Sequence, residues 1–217
     1  MSIRPRFQGG ISPNLYIWIW SGVLNVWFLG YLLGTFVTPY FTENYGRKRT
    51  LLGSNVIALI GSVLSFLSVT LSIPELFFLS RVVASLSSGI SFGALILFLQ
   101  EATPTEYRGM TSFLSENTFI ATTVMGIGFG MDAVFGKNLP VLTGIAMIPA
   151  VISILLVIPL KETPKFLLIN RNDRKAAIES LTYYRGELVD VDAVLDEMLL
   201  EVDDDGSPKS SILQPVV

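Results

Sequence analysis

The stretch Asn44–Leu52 reads NYGRKRTLL, and its three consecutive cations separate two long runs without any charge, residues 7–42 and 50–74. At about 1.5 Å per helical residue, each run is long enough to cross a hydrocarbon core of roughly 30 Å. The stretch therefore reads as a loop between two membrane spans, and the chain as an integral membrane protein. Three further apolar runs follow, giving predicted spans at 14–41, 50–72, 76–99, 110–135 and 139–160. Because unpaired backbone groups are costly in hydrocarbon, each should be a helix, and none shows the strict alternation of a barrel strand. The expected fold class is an all-α membrane protein with five transmembrane helices. The first run, at about 28 apolar residues, far exceeds the 7–15 of a cleavable signal core and is kept as a span.

Composition agrees: 51% of the 217 residues are hydrophobic and only 15% charged. The chain has no cysteine and no histidine, which removes disulfides, thiol chemistry, the commonest zinc and haem ligands, and imidazole acid–base catalysis. No Walker-type phosphate loop occurs. An enzyme is not expected, nor a cofactor, a metal site or a nucleic-acid partner; the lipid bilayer is the first partner. The glycine-rich GIGFG at 126–130 reads as a place where small residues let helices pack closely.

Charge orients the spans. The links after spans one, three and five hold Arg47, Lys48, Arg49, Arg108, Lys161, Lys165, Arg171, Arg174 and Lys175, whereas the other side holds Arg4, Arg6 and Lys137. The first group should be cytoplasmic. GRKR is then an inside loop, and the carboxyl terminus is inside as well. An odd number of spans leaves Arg4 and Arg6 outside, against the same rule, which points to a further span in front. After Lys161 the composition turns acidic. Ala177, Ile178, Leu181 and Tyr184 share one helical face, and Val191, Val194, Leu195, Met198 and Leu199 share another. The expected organisation is an amino-terminal tail (1–13), a partial bundle of membrane spans (14–160), a cytoplasmic helical linker segment (161–201) and a flexible tail (202–217).

GRKR after the first span, QEATPTEYRG (100–109) after the third and KETPKFLLINRN (161–172) after the fifth resemble the cytoplasmic signatures of the sugar porters of the major facilitator superfamily, especially the facilitative hexose transporters. In that family the three motifs follow helices two, four and six. The resemblance implies that the chain corresponds to helices two to six of an amino-terminal bundle, with amphipathic helices beneath the membrane.

The same resemblance implies roles for the motif charges. Arg47, Lys48, Arg49, Glu101, Arg108, Glu162 and Lys165 would form a cytoplasmic gate, the alternative being plain topology charges. The family's acid–arginine pair falls on Glu43 and Asn44, and its PESPR has become KETPK. Lys165 keeps the charge of the missing arginine but not its bidentate geometry. Arg81 is a charge within a span whose role is either snorkelling or pairing with a helix-one aspartate. Glu116 lies about two turns into the fourth span, where insertion of a carboxylate costs ~2.5–3.5 kcal/mol, so it should face a cavity or a partner. Sugar porters carry a hexose-binding glutamine at the matching place. Glu116, Ile120 and Thr123 share a face and are the expected substrate-binding residues. Three options stay open for Glu116: a different solute, binding in protonated form, or pairing with another buried polar group.

The function expected is that of an amino-terminal half of a facilitative sugar transporter in the plasma membrane, inactive alone, with a small polar solute such as a hexose. The alternative is a non-transporting subunit or decoy that associates with a full-length carrier or a second copy.

Overall fold

A computed structural model describes residues 13–186 and 191–204 of the chain. Residues 1–12, with Arg4 and Arg6, residues 187–190 and residues 205–217 lie outside the described residues; of the expected flexible tail (202–217), residues 202–204 instead continue the last helix. The helices are α1 (Pro13–Tyr45), α2 (Arg47–Leu71), α3 (Pro74–Ala102), α4 (Arg108–Phe129), α5 (Leu139–Ile145), α6 (Met147–Val157), α7 (Pro164–Ile169), α8 (Arg174–Arg185) and α9 (Val191–Asp204). No strand occurs among the described residues.

Ser21–Tyr45, Arg47–Leu71, Pro74–Ala102 and Leu139–Val157 are each long enough and apolar enough to cross a membrane. The remaining predicted span, 110–135, is occupied by α4 and by the turns after it. At 22 residues α4 is about 33 Å long. Arg108, Glu116 and its Ser, Thr and Asn residues make it less apolar than the other four.

Two links differ from expectation. The loop predicted at Gly46–Arg49 shrinks to Gly46 alone, because Arg47 is already helical. Gly46 adopts φ 99 and ψ 163, a region open almost only to glycine, so one residue suffices to turn the chain. The predicted span 139–160 is broken at Ala146 into α5 and α6. Pro149, in the first turn of α6, has no N–H to return to the Ile145 carbonyl, and its ring crowds that oxygen. Pro39 in α1 causes no such break, and the helix runs on to Tyr45.

α3 lies between α1 and α2 and forms the largest interfaces of the fold with both. Gly30, Gly34 and Thr38 recur every fourth residue on α1, and Ser85, Gly89 and Gly93 do so on α3. A Cβ added to Gly34 would collide with the Leu86 carbonyl, and one on Gly89 with the Tyr31 carbonyl. Backbones this close gain dispersion contacts that lipid tails cannot replace, which drives helix association where apolar burial cannot. Many of the buried membrane residues are accordingly small and polar, including Thr38, Thr42, Ser54, Ser68, Ser80, Ser85 and Ser87. Most Leu, Ile and Phe side chains of these helices point outward, with Leu51, Ile90 and Phe98 among the exceptions. Close packing expected at GIGFG is not found there: a Cβ on Gly126 or Gly128 would meet nothing within 4 Å.

Below the bundle, α7, α8 and α9 share a core of Leu168, Ala177, Leu181, Leu195 and Met198, with Ile178, Val191, Val194 and Leu199 against it. The two amphipathic faces thus bury each other. Asp173 caps α8 by accepting a hydrogen bond from the Ala176 N–H at 3.0 Å.

Candidate functional site

Two constellations hold the sequence-predicted residues. The first surrounds Gly46. With no side chain there to cap α2, its first turn is capped from afar: Glu162 Oε1 accepts the Lys48 N–H at 2.8 Å and the Thr163 N–H at 3.2 Å. A carboxylate at that position also opposes the positive end of the helix dipole. A Cβ on Gly46 would lie 2.5 Å from Glu162 Oε2. Conformation and space therefore both require glycine.

Arg47 then reaches α3. Its Nε and Nη2 donate to Glu101 Oε1 at 3.0 and 2.7 Å, and its Nη1 donates to the Thr42 carbonyl at 3.3 Å. Glu101 Oε2 accepts the Thr163 hydroxyl at 2.6 Å. Both charged side chains are at most 10% exposed. The guanidinium also lies 5.1 Å from the centroid of the Phe166 ring. One buried ion pair thus ties α1, α2, α3 and the start of α7 together. Removing one partner of such a pair leaves a stranded charge, at roughly 3–5 kcal/mol.

α8 docks alongside. Ser180 donates to the Glu162 carbonyl, Tyr184 to the Lys161 carbonyl at 2.6 Å, and Arg185 to the Thr103 carbonyl at 3.4 Å. Burial pushes the Tyr184 phenol up to about 12, the hydrogen bond to Lys161 opposes this, and the neighbouring Tyr183 and Glu162 add to it.

Arg47, Lys48, Glu101 and Glu162 are therefore brought together. Arg49 is not among them: it is exposed on another side of α2 and lines a cavity of about 230 Å³ with Phe41, Tyr45 and Ile57. Arg108 opens α4 and Lys165 is the second residue of α7, each half-buried. Arg81 is half-buried in the second turn of α3, and its Nε has no hydrogen-bond partner among the described residues.

The second constellation is on α4. Glu116, Ile120 and Thr123 lie along it, all exposed, and the Thr123 hydroxyl is engaged by the Phe119 carbonyl at 2.8 Å. Nearby aromatic rings form a chain across three helices. Trp27 stacks on Tyr31 at 5.3 Å, Tyr31 lies 6.5 Å from Phe92, and Phe92 lies 5.3 Å from Phe119. No residue of α4 is buried.

A sequence profile of the family described as "Sugar (and other) transporter" matches residues 15–215. The chain belongs to this family. Among its relatives, the mouse protein described as solute carrier family 2, facilitated glucose transporter member 7 is 32% identical over 193 residues, covering 88% of this chain and 38% of the relative. The chicken facilitated glucose transporter member 1 is 31% identical over 196 residues, covering 89% and 40%. The chain spans about two fifths of the length of these relatives. Its fold resembles that of XylE of E. coli, a xylose transporter, in a partially occluded inward-open conformation, with a TM-score of 0.73 at 16% identity over 84% of this chain and 48% of that one. It also resembles the proton:xylose symporter XylE bound to 6-bromo-6-deoxy-D-glucose, with a TM-score of 0.71 at 16% identity, covering 84% and 43%. The protein is thus a multi-pass membrane protein of the major facilitator type.

The sequence analysis missed three features. Thr163 completes the Glu101 pair, though its motif gave no hint of a partner 62 residues away. Asn55 crosslinks three helices, donating to Ser153 at 2.8 Å and accepting from Ser91 at 2.8 Å. A lone amide in a charge-free span was the available signal, since an amide in hydrocarbon needs partners. The aromatic chain reaching Tyr31 had no local signature.

Proposed function

We propose that the chain forms the amino-terminal membrane part of a facilitative sugar carrier, corresponding to helices two to six of the first bundle. The observation that carries this reading is the buried Arg47–Glu101–Thr163 junction, which joins all three signature motifs at one end of the bundle. Alternating access needs one bundle rocking against another around a midplane site. A rigid junction at the foot of the bundle lets it rock as a unit, and the charged residues beside it are placed to close against a second bundle. This end is cytoplasmic on the cation distribution, in the plasma membrane, with the carboxyl terminus on the same side. Glu116, Ile120 and Thr123 face the solute, a hexose.

Glu116 offers acceptors only, whereas a glutamine offers both donor and acceptor. In a carrier completed by a second bundle, Glu116→Gln should bind D-glucose more tightly. Equal apparent affinity of both forms, normalised to surface protein, would remove Glu116 from the site.

α4, in which no residue is buried, favours a second reading: a non-transporting subunit covered there by a complete carrier or a second copy. Co-purification with a complete carrier, disrupted by charged substitutions along α4 and unaccompanied by transport, would favour it.

A further inference from the structure

The three cations of GRKR part ways in the structure. Arg47 is engaged by Glu101 and the Thr42 carbonyl, and Lys48 donates its Nζ to the Ile158 carbonyl at 2.9 Å. Arg49 makes no hydrogen bond or ion pair among the described residues. It stands exposed at the cavity of about 230 Å³, which lies between α1 and α2 and reaches Ile90 of α3. Phe41 and Tyr45, one turn apart with ring centroids at 6.0 Å, supply the α1 wall, and Gly53 and Ile57 belong to the α2 wall. No carboxylate lines this cleft. The Thr50 and Ser54 hydroxyls, which also border it, donate to the Gly46 and Leu51 carbonyls at 2.7 and 2.9 Å. Arg49 is therefore the one charge on an otherwise apolar wall, and its donors are uncommitted.

An uncommitted guanidinium beside an apolar cleft matches an amphiphile with an anionic head and a hydrocarbon chain. We propose that the cleft holds one acyl chain of an anionic phospholipid whose phosphate is bound by Arg49. The planar fork of the guanidinium pairs bidentately with phosphate. The cleft lies at the end of the bundle that holds the Arg47–Glu101 junction, the end that the cation distribution assigns to the cytoplasmic leaflet and its anionic lipids. Exposed Tyr45 is the kind of aromatic residue found at headgroup level. At about 230 Å³ the cleft is smaller than the roughly 300–1,000 Å³ of sites that enclose a whole small molecule, which suits a single chain whose remainder stays in the bilayer. Gly53 keeps it open: a Cβ there would meet nothing within 4 Å, so the absent side chain leaves space instead of drawing two backbones together as Gly34 does. A symmetric pair of chains meeting at this cleft would bring two Arg49 side chains together with no carboxylate between them, so like charge disfavours a second copy as the occupant.

The test uses the full chain in phosphatidylcholine nanodiscs doped with a phosphatidylserine that carries a photoreactive diazirine on one acyl chain. Adducts are mapped by peptide mass spectrometry, and circular dichroism verifies folding. Adducts should fall on the cleft residues between Phe41 and Ile57. Unlabelled phosphatidylserine should compete for them about fivefold better than phosphatidylcholine, the preference that one cation at the membrane surface carries. Arg49→Gln should remove that preference, and Arg49→Lys should keep only part of it, because an ammonium lacks the fork. Gly53→Leu keeps every charge, improves the helix propensity and fills the cleft, so it should abolish labelling there. Unchanged labelling of folded Gly53→Leu, or a phosphatidylserine preference that survives Arg49→Gln, would overturn the proposal. Absence of adducts at the cleft of the wild-type chain would overturn it as well, and a disulfide-linked dimer of Gly53→Cys, in a chain with no other cysteine, would then identify a second copy as the occupant.

Discussion

Gly46 shows how much one residue decides. It turns the chain between two membrane-crossing helices, leaves room for Glu162, and so places the Lys48 N–H within reach of a cap supplied from 114 residues away. Gly46→Ala forces a side chain into φ 99 and against that carboxylate. The strain alone should cost roughly 1–3 kcal/mol. The variant's unfolding midpoint in mild detergent should fall accordingly, and an unchanged midpoint would contradict the role given to this turn. The presence of a charged junction was legible in the sequence, because GRKR, QEATPTEYRG and KETPKFLLINRN each carry ionisable groups at span ends. Which cation enters it was not. Arg47 and Arg49 are two residues apart, and on a helix that separation puts them about 200° apart around the axis, so only the exact start of α2 decides which one turns inward.

At the scale of the element, long charge-free runs and 3.6-residue stripes were readable because they follow from the helix period itself. α8 and α9 bury the faces that the stripes defined. Features that depend on a neighbour were not readable. GIGFG and the Gly30–Gly34 pair look alike in sequence, yet only the second meets a backbone close enough to use the missing side chain. The break at Ala146 depends on how the chain resolves Pro149 within an otherwise continuous apolar run. The docking of α8 carries a pH signature. The Tyr184 phenol is raised to about 12 in the folded chain against an ordinary 10.0, so folding favours its neutral form. That contribution is fully present below about pH 10 and is lost as pH rises towards 12. Between those values the wild type should lose thermal stability more steeply than Tyr184→Phe. Parallel slopes for the two proteins would mean that the phenol's docking contributes nothing.

For the whole molecule, packing is uneven in an informative way. α1, α2 and α3 form a close core, α5 and α6 lean on α2, and α4 is attached mainly through α3 with none of its residues buried. Glu116, Ile120 and Thr123 lie on its exposed surface, and the chain spans about two fifths of the length of its relatives. The overall class was legible because hydropathy and charge distribution act on the chain as a whole. The aromatic chain was not, since Tyr31, Phe92 and Phe119 sit on three helices, 27 to 88 positions apart. The central claim is that this chain supplies part of one bundle of a sugar carrier and is not a carrier by itself. Uptake of labelled D-glucose into liposomes tests it most directly, comparing the chain alone with the chain joined to the complementary portion of a facilitated glucose transporter. The account predicts saturable uptake, competed by unlabelled D-glucose but not by L-glucose, only for the joined protein; saturable uptake by the chain alone, or none by a folded joined protein, would contradict it.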